Sequence, residues 1–218
     1  MRSLTGMSER SGTRAPTTTS SIRDEDWDGE DLTGREFSGV AFVDVDFTDA
    51  TGTGVLFDSC TFNDCRFGGI KLKDASLTNC AVWNSNLFDA QFTGCKLIGS
   101  SFEDCRFELL RVTGGDWSFV SLRGADLRET RFEDVRMREI DLSFARLDQA
   151  VLRRCDLSGA AVHRTSLVGT ELRGSDLPEL DPTEVPIRGA IVDPIQAMAI
   201  AVALGLDVRP ADDDDDVG

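Results

Sequence analysis

Residues 142–172 read LSFAR LDQAV LRRCD LSGAA VHRTS LVGTE L, with Leu142, Leu147, Leu152, Leu157, Val162, Leu167 and Leu172 at steps of five. Neither regular element can hold such a row on one side. Side chains return to one face every 3.6 residues in a helix and every second residue in a strand. A chain that buries every fifth residue must turn a corner within each unit. Outward from this stretch the spacing runs from Trp27 to Leu177, and Gly52 alone among its positions is not a large apolar residue.

The positions between these centres agree with an internal repeat. Two residues before a centre stands a small or β-branched residue, as at Val45, Val55, Cys65, Ala90, Cys155 and Ala160. Such a choice suits a second inward position with little room. Two residues after a centre the chain prefers Gly, Asp and Asn, as at Gly34, Asp44, Asp64, Asn79 and Gly94. Those residue types tolerate turn conformations or bond the local backbone. The remaining positions are mostly polar and point outward.

The units Ala125-Asp126-Leu127-Arg128, Cys155-Asp156-Leu157-Ser158-Gly159 and Ser175-Asp176-Leu177 resemble the A-(D/N)-L-x-x consensus of the pentapeptide-repeat family. The resemblance implies an all-β fold, a right-handed quadrilateral β-helix with four pentapeptides per coil. About eight coils stacked at the inter-strand spacing of about 4.8 Å make a rod about 37 Å long. The domain expectations are a disordered leader over 1–21, the β-helix over 22–192, a short α-helical C-terminal element over 193–210 and an acidic disordered tail over 211–218. Phe dominates the centres up to Phe107 and Leu those after it.

Composition narrows the function. The chain has 218 residues and a formal net charge of −16, which speaks against direct nucleic-acid binding, since phosphate neutralisation needs a basic surface. No apolar run reaches the length of a membrane span and nothing resembles a signal peptide, so a cytoplasmic protein without membrane contact is expected. All six cysteines fall on the small inward position, at spacings that follow the repeat and not a zinc-ligand pattern. They are expected to be buried thiols, and no metal or cofactor is expected. His163, the lone histidine, falls on an outward position with no nucleophile placed beside it. No catalytic residue is assigned, and an enzyme is not expected.

Beyond Leu177 the rhythm is broken by Pro178, Pro182 and Pro186, and 187–192 can add a partial coil. Asp193-Pro194 then signals a helix start and Gly205 a stop. The segment between is apolar nearly all round, so capping the coil stack would use only one of its faces. Ile195, Met198, Ile200, Val202 and Leu204 are therefore the expected contacts of a homodimer about a two-fold axis.

Numbering modulo 20 assigns outward residues to faces. One face, with centres such as Phe47 and Leu127, gathers Asp26, Asp28, Asp46, Asp49, Asp89, Glu108, Asp126, Glu129 and Asp148, against Arg66, Arg106, Arg128 and Arg146. The next face carries Lys71, Lys73, Arg111, Arg131, Arg153 and Arg173 among its cations and is net basic. Duplex DNA as long as the rod carries about 22 phosphates, so any imitation of DNA works through a local acidic stripe. The closest resemblance within the family is to its fluoroquinolone-resistance members. It implies a DNA mimic that binds DNA gyrase, inhibits or modulates it and shields it from fluoroquinolones, with those nine acids as the partner-binding face. The alternative is an interaction scaffold with a different protein target.

Overall fold

The computed structural model describes residues 15–177 and 184–209. Most of the expected leader, Pro178, Pro182 and the Asp212–Asp216 run lie outside the described residues. The chain winds as a parallel β-solenoid in which each residue's in-register neighbour lies twenty positions on. Ala41 pairs with Thr61, which pairs with Ala81, and Lys71 pairs with Gln91, which pairs with Arg111. Three faces carry short strands. On one, Ser20–Arg23, Val40–Val43, Thr61–Asn63, Ala81–Trp83 and Ser101–Glu103 stack in order. The acidic face is held by single bridges, Asp26 to Asp46, Asp46 to Arg66 and Arg66 to Asn86. The first strand takes in Ser20 and Ser21, the last two residues assigned above to the leader.

The centres point inward, and Phe42, Phe62, Leu97, Leu127 and Leu147 are wholly buried. In the first coils the rings form ladders. Phe42 and Phe62 lie 4.9 Å apart and 6° from parallel, Phe47 and Phe67 4.9 Å and 5°, while neighbouring ladders meet edge to face. Such pairs add to the area that large rings bury. Corner residues turn at positive φ, including Asp44 at 53° and Asn79 at 53°. That requirement explains the Gly, Asp and Asn preference, because other L-residues enter this region at a cost.

The small inward position also has a polar duty that composition does not reveal. Its side chain reaches back to the carbonyl of a centre on the preceding coil. Ser100 Oγ donates to Leu77 at 2.6 Å, Thr165 Oγ1 to Leu142 at 2.7 Å, and the Cys95 thiol approaches the Leu72 carbonyl at 3.4 Å. Serines there also accept, as Ser85 Oγ does from Cys65 N–H at 3.1 Å. Buried hydroxyls are thus satisfied in a core that would otherwise charge for them. All six cysteines are free thiols, Cys60 and Cys80 included.

Residues 187–192 extend the stack: Leu167 N–H donates to the Pro186 carbonyl and Leu172 N–H to that of Ile191, both at 2.8 Å. A helix then runs Pro194–Ala203. Asp193 caps it, accepting from Ile195 and Gln196 N–H, and Gln196 Oε1 accepts from Asp193 N–H at 2.8 Å. The same two residues close the coil below. Gln196 Nε2 donates to the Leu172 and Ser175 carbonyls, each at 2.7 Å, and Asp193 accepts from Gly174 N–H at 3.1 Å. Gln196 is the one helix residue that is buried. The end of the rod is closed by polar groups, and the apolar side chains of the helix remain outside the core.

Candidate partner-binding face

The nine acids named above share the acidic face, but the rungs pair several of them with cations. Arg66 Nε lies 2.9 Å from Asp46, and the Arg111 guanidinium 2.6 Å from Asp89. Asp126 is gripped by Arg128 through its Nε at 2.7 Å and Nη2 at 2.6 Å, with Arg146 at 3.8 Å. Asp148 accepts from the Ser166 hydroxyl and lies 4.0 Å from Arg146. Exposed pairs of this kind add little stability, yet they cancel charge locally. Among the described residues Asp26, Asp28, Asp49, Glu108 and Glu129 form no ion pair with a cationic side chain.

The pKa directions follow these contacts. Partial burial raises Asp46, but the Thr48 hydrogen bonds and Arg66 outweigh it and hold the carboxyl below its ordinary value. The Arg128 hydrogen bond, with help from Arg146, holds Asp126 low as well. Both stay ionised at neutral pH. The face is not flat throughout: a groove of about 420 Å³ opens toward its C-terminal half, lined by Glu108, Asp126, Arg128, Glu129, Arg146, Asp148 and Gln149. Its two unpaired carboxylates, Glu108 and Glu129, face a mixed-charge wall.

On the C-terminal helix the expected contacts divide by exposure. Ile195 is 75% exposed, Val202 60% and Met198 50%, and Leu204 is also open, whereas Ile200 is half-buried. Leu206 and Val208 continue the open apolar surface beyond the helix. His163 is exposed, its ring edge-on to Phe144 and its Nδ1 3.8 Å from Glu184.

A family model described as a pentapeptide repeat region matches residues 85–162. Over those residues the chain is similar to a pentapeptide repeat region. The twenty-residue coil and the inward centres continue to either side of that stretch. No curated protein matches it in sequence. Among solved structures it is similar to two trypsin-treated variants of QnrB1, a plasmid-mediated fluoroquinolone resistance protein. One aligns at TM-score 0.53 and 20% identity over 89% of this chain and 99% of that one, the other at 0.51 and 20% over 88% and 99%. HetL, a pentapeptide-repeat protein involved in heterocyst differentiation regulation in the cyanobacterium Nostoc, aligns at TM-score 0.48 and 17% identity over 81% of this chain and 89% of that one. At such identities the QnrB1 likeness speaks for the pentapeptide-repeat fold alone. No helix among the described residues is long and apolar enough to cross a membrane.

Proposed function

We propose that this pentapeptide-repeat rod binds DNA gyrase on a surface that otherwise holds duplex DNA, modulates the enzyme and protects it from fluoroquinolones, acting by binding and not by catalysis. The observation that carries the reading is the set of outward carboxylates without cationic partners on one face, Asp26, Asp28, Asp49, Glu108 and Glu129. They leave a line of negative charge along a rigid rod, which suits a basic groove made for phosphates. QnrB1, whose fold this chain shares, is a fluoroquinolone resistance protein, and that agrees with the reading.

The test is a supercoiling assay with purified gyrase and a fluoroquinolone. The chain is expected to change supercoiling and to lower the drug's effect, with binding that weakens as salt rises and is competed by duplex DNA. Reversing the five unpaired acids to Lys should abolish this while leaving the fold intact, because exposed substitutions cost little stability. Reversing Asp212 to Asp216 makes the same charge change in residues that are not among the nine acids. Equal losses from both sets would assign the effect to net charge and reject the face. No effect of the unaltered chain on gyrase would favour a scaffold with another protein target.

The reading includes a homodimer through the C-terminal helix, supported by the open apolar row Ile195, Met198 and Val202. Two copies of this row can cover each other about a two-fold axis. Met198→Glu is expected to convert dimer to monomer in sedimentation with unchanged β-type circular dichroism. A monomeric wild-type chain at micromolar concentration would remove the dimer.

A further inference from the structure

On the strand face opposite the basic one, two exposed aromatic residues stand where the fold asks for none. Phe119 has φ 61° and Phe144 φ 64°, both at corners. Elsewhere the Phe119 column holds Gly39, Ser59, Asn79, Gly99, Glu139 and Gly159, and the Phe144 column runs through Asp64, Asn84, Asp104 and Gly124. A bulky side chain in this conformation is strained relative to the Gly and Asn used at neighbouring rungs. The core gains little in return, since Phe119 is 55% exposed and Phe144 38%. Leu109, at φ 60°, shows that the solenoid can turn such a corner with an aliphatic side chain, but these two corners carry aromatic rings that flank one face and stay open to solvent, which points to a use outside the fold.

The surroundings say what that use is. The rings flank one face, a coil apart, with Ser121, Asp141, Ser143 and Ala161 between them, and the Asp141 carboxylate accepts from Ser143 N–H at 2.9 Å and lies 3.8 Å from Arg123. Phe144 is held in place: the Arg123 guanidinium lies 4.5 Å from its ring centre, that of Arg164 5.8 Å, and His163 meets it edge-on at 5.5 Å. Arg123 has only a 3.8 Å contact with Asp141, and Arg164 has no ion pair among the described residues. Aromatic rings with arginines around them are the composition of interface hot spots. Charge then selects the partner. The same corner is acidic in the N-terminal coils, at Asp24, Asp44, Asp64 and Asp104, and turns aromatic and basic only from Phe144 onward.

We infer that the Phe119–Phe144 patch is a second protein-binding surface, separate from the acidic face, that takes an acidic segment of a partner protein carrying apolar side chains. The apolar groups cover the two rings, and the carboxylates meet Arg123 and Arg164. This surface does not depend on the gyrase reading, since it lies on another face and has the opposite charge preference.

The test uses the full chain and three probes: a short peptide of alternating Glu and Leu, its counterpart with Lys in place of Glu, and a short DNA duplex. The acidic peptide is expected to bind at least about tenfold more tightly than the basic one, with amide shifts at residues 119–123, 143–144 and 163–164. The double variant Phe119→Asn with Phe144→Asn, and separately Arg123→Gln with Arg164→Gln, should each weaken it about tenfold, the scale of a hot-spot residue. The Asn variant should melt at the same or a higher temperature, because Asn suits these corners. A fall in its melting temperature would make the rings structural and overturn the inference. So would absent or equal binding of the two peptides, preference for the duplex, or a change of oligomeric state in the Asn variant, which would make the patch a contact between copies.

Discussion

Gly115→Ala is expected to destabilise the rod by about 3–5 kcal/mol, among the largest effects of any single substitution. A Cβ at Gly115 would lie 2.1 Å from the Cys95 carbonyl oxygen and 2.8 Å from its nitrogen, and φ there is +92°. Both obstacles are backbone and cannot rotate away. The Cys95 carbonyl is also held in place, since it accepts from Asp116 N–H at 3.0 Å. The sequence gives a reason for glycine at this rung: the next centre is Trp117, the largest of the wholly buried side chains, and its inward neighbour is the smallest residue available. Trp117 Nε1 is buried without a hydrogen-bond partner, a further cost that this coil bears. Gly124→Ala is the control. Its φ is +71°, but nothing lies within 4 Å of the added carbon, so only the conformational cost of about 1 kcal/mol applies. Urea denaturation of both variants decides the matter, and equal losses would show that close approach between coils is not what Gly115 serves.

How much of this was legible follows from which contacts repeat. The centres and the corners were, because a five-residue period reports directly on which side chains enter the core and where the chain turns. Gly52, the one missing centre, is explained by its neighbour: a Cβ there would sit 2.5 Å from Val55 Cγ2, so the methyl of the next inward position fills the gap. The acidic face was legible as a set of residues but not as a field. Asp46 with Arg66 and Asp134 with Arg154 are twenty residues apart, which is one rung, so their ion pairs were open to the same arithmetic that sorted the faces. Summing charge by face conceals such pairs. The helix was legible with its cap and its stop, and its apolar character gave one face to capping and another to a second chain. The rod end is instead closed by Gln196, because the last coil presents carbonyls that only a donor can satisfy. Phe119 and Phe144 did not stand out in the five-residue period, which sorts centres from corners, and the strain they bear becomes visible in the dihedral angles.

Raising the pH from about 9 to about 11 is expected to unfold the protein, and the buried thiols are the cause. Burial pushes Cys65, Cys95 and Cys155 up to about 11 each, from an ordinary value of 9.0. The Cys60 thiol, together with burial, drives Cys80 higher still. Below about pH 9 all these groups are protonated in both states and their stabilisation is fully present. Between about 9 and 11 the unfolded chain releases protons that the folded chain retains, so stability falls as pH rises. Two pKa units correspond to about 2–3 kcal/mol per thiol, and three such thiols approach the 5–15 kcal/mol that holds a typical domain together. The chain has no Tyr, so phenol ionisation cannot confuse the measurement. Thiolate absorbance should appear together with the loss of β-type circular dichroism, in one cooperative step. Replacing Cys65, Cys95 and Cys155 by Ser keeps a small donor for the carbonyls these thiols approach and removes the titrating groups, so the alkaline midpoint should move upward. An unchanged midpoint, or thiolates forming while the fold persists, would show that these cysteines are more open to water than their places in the core require.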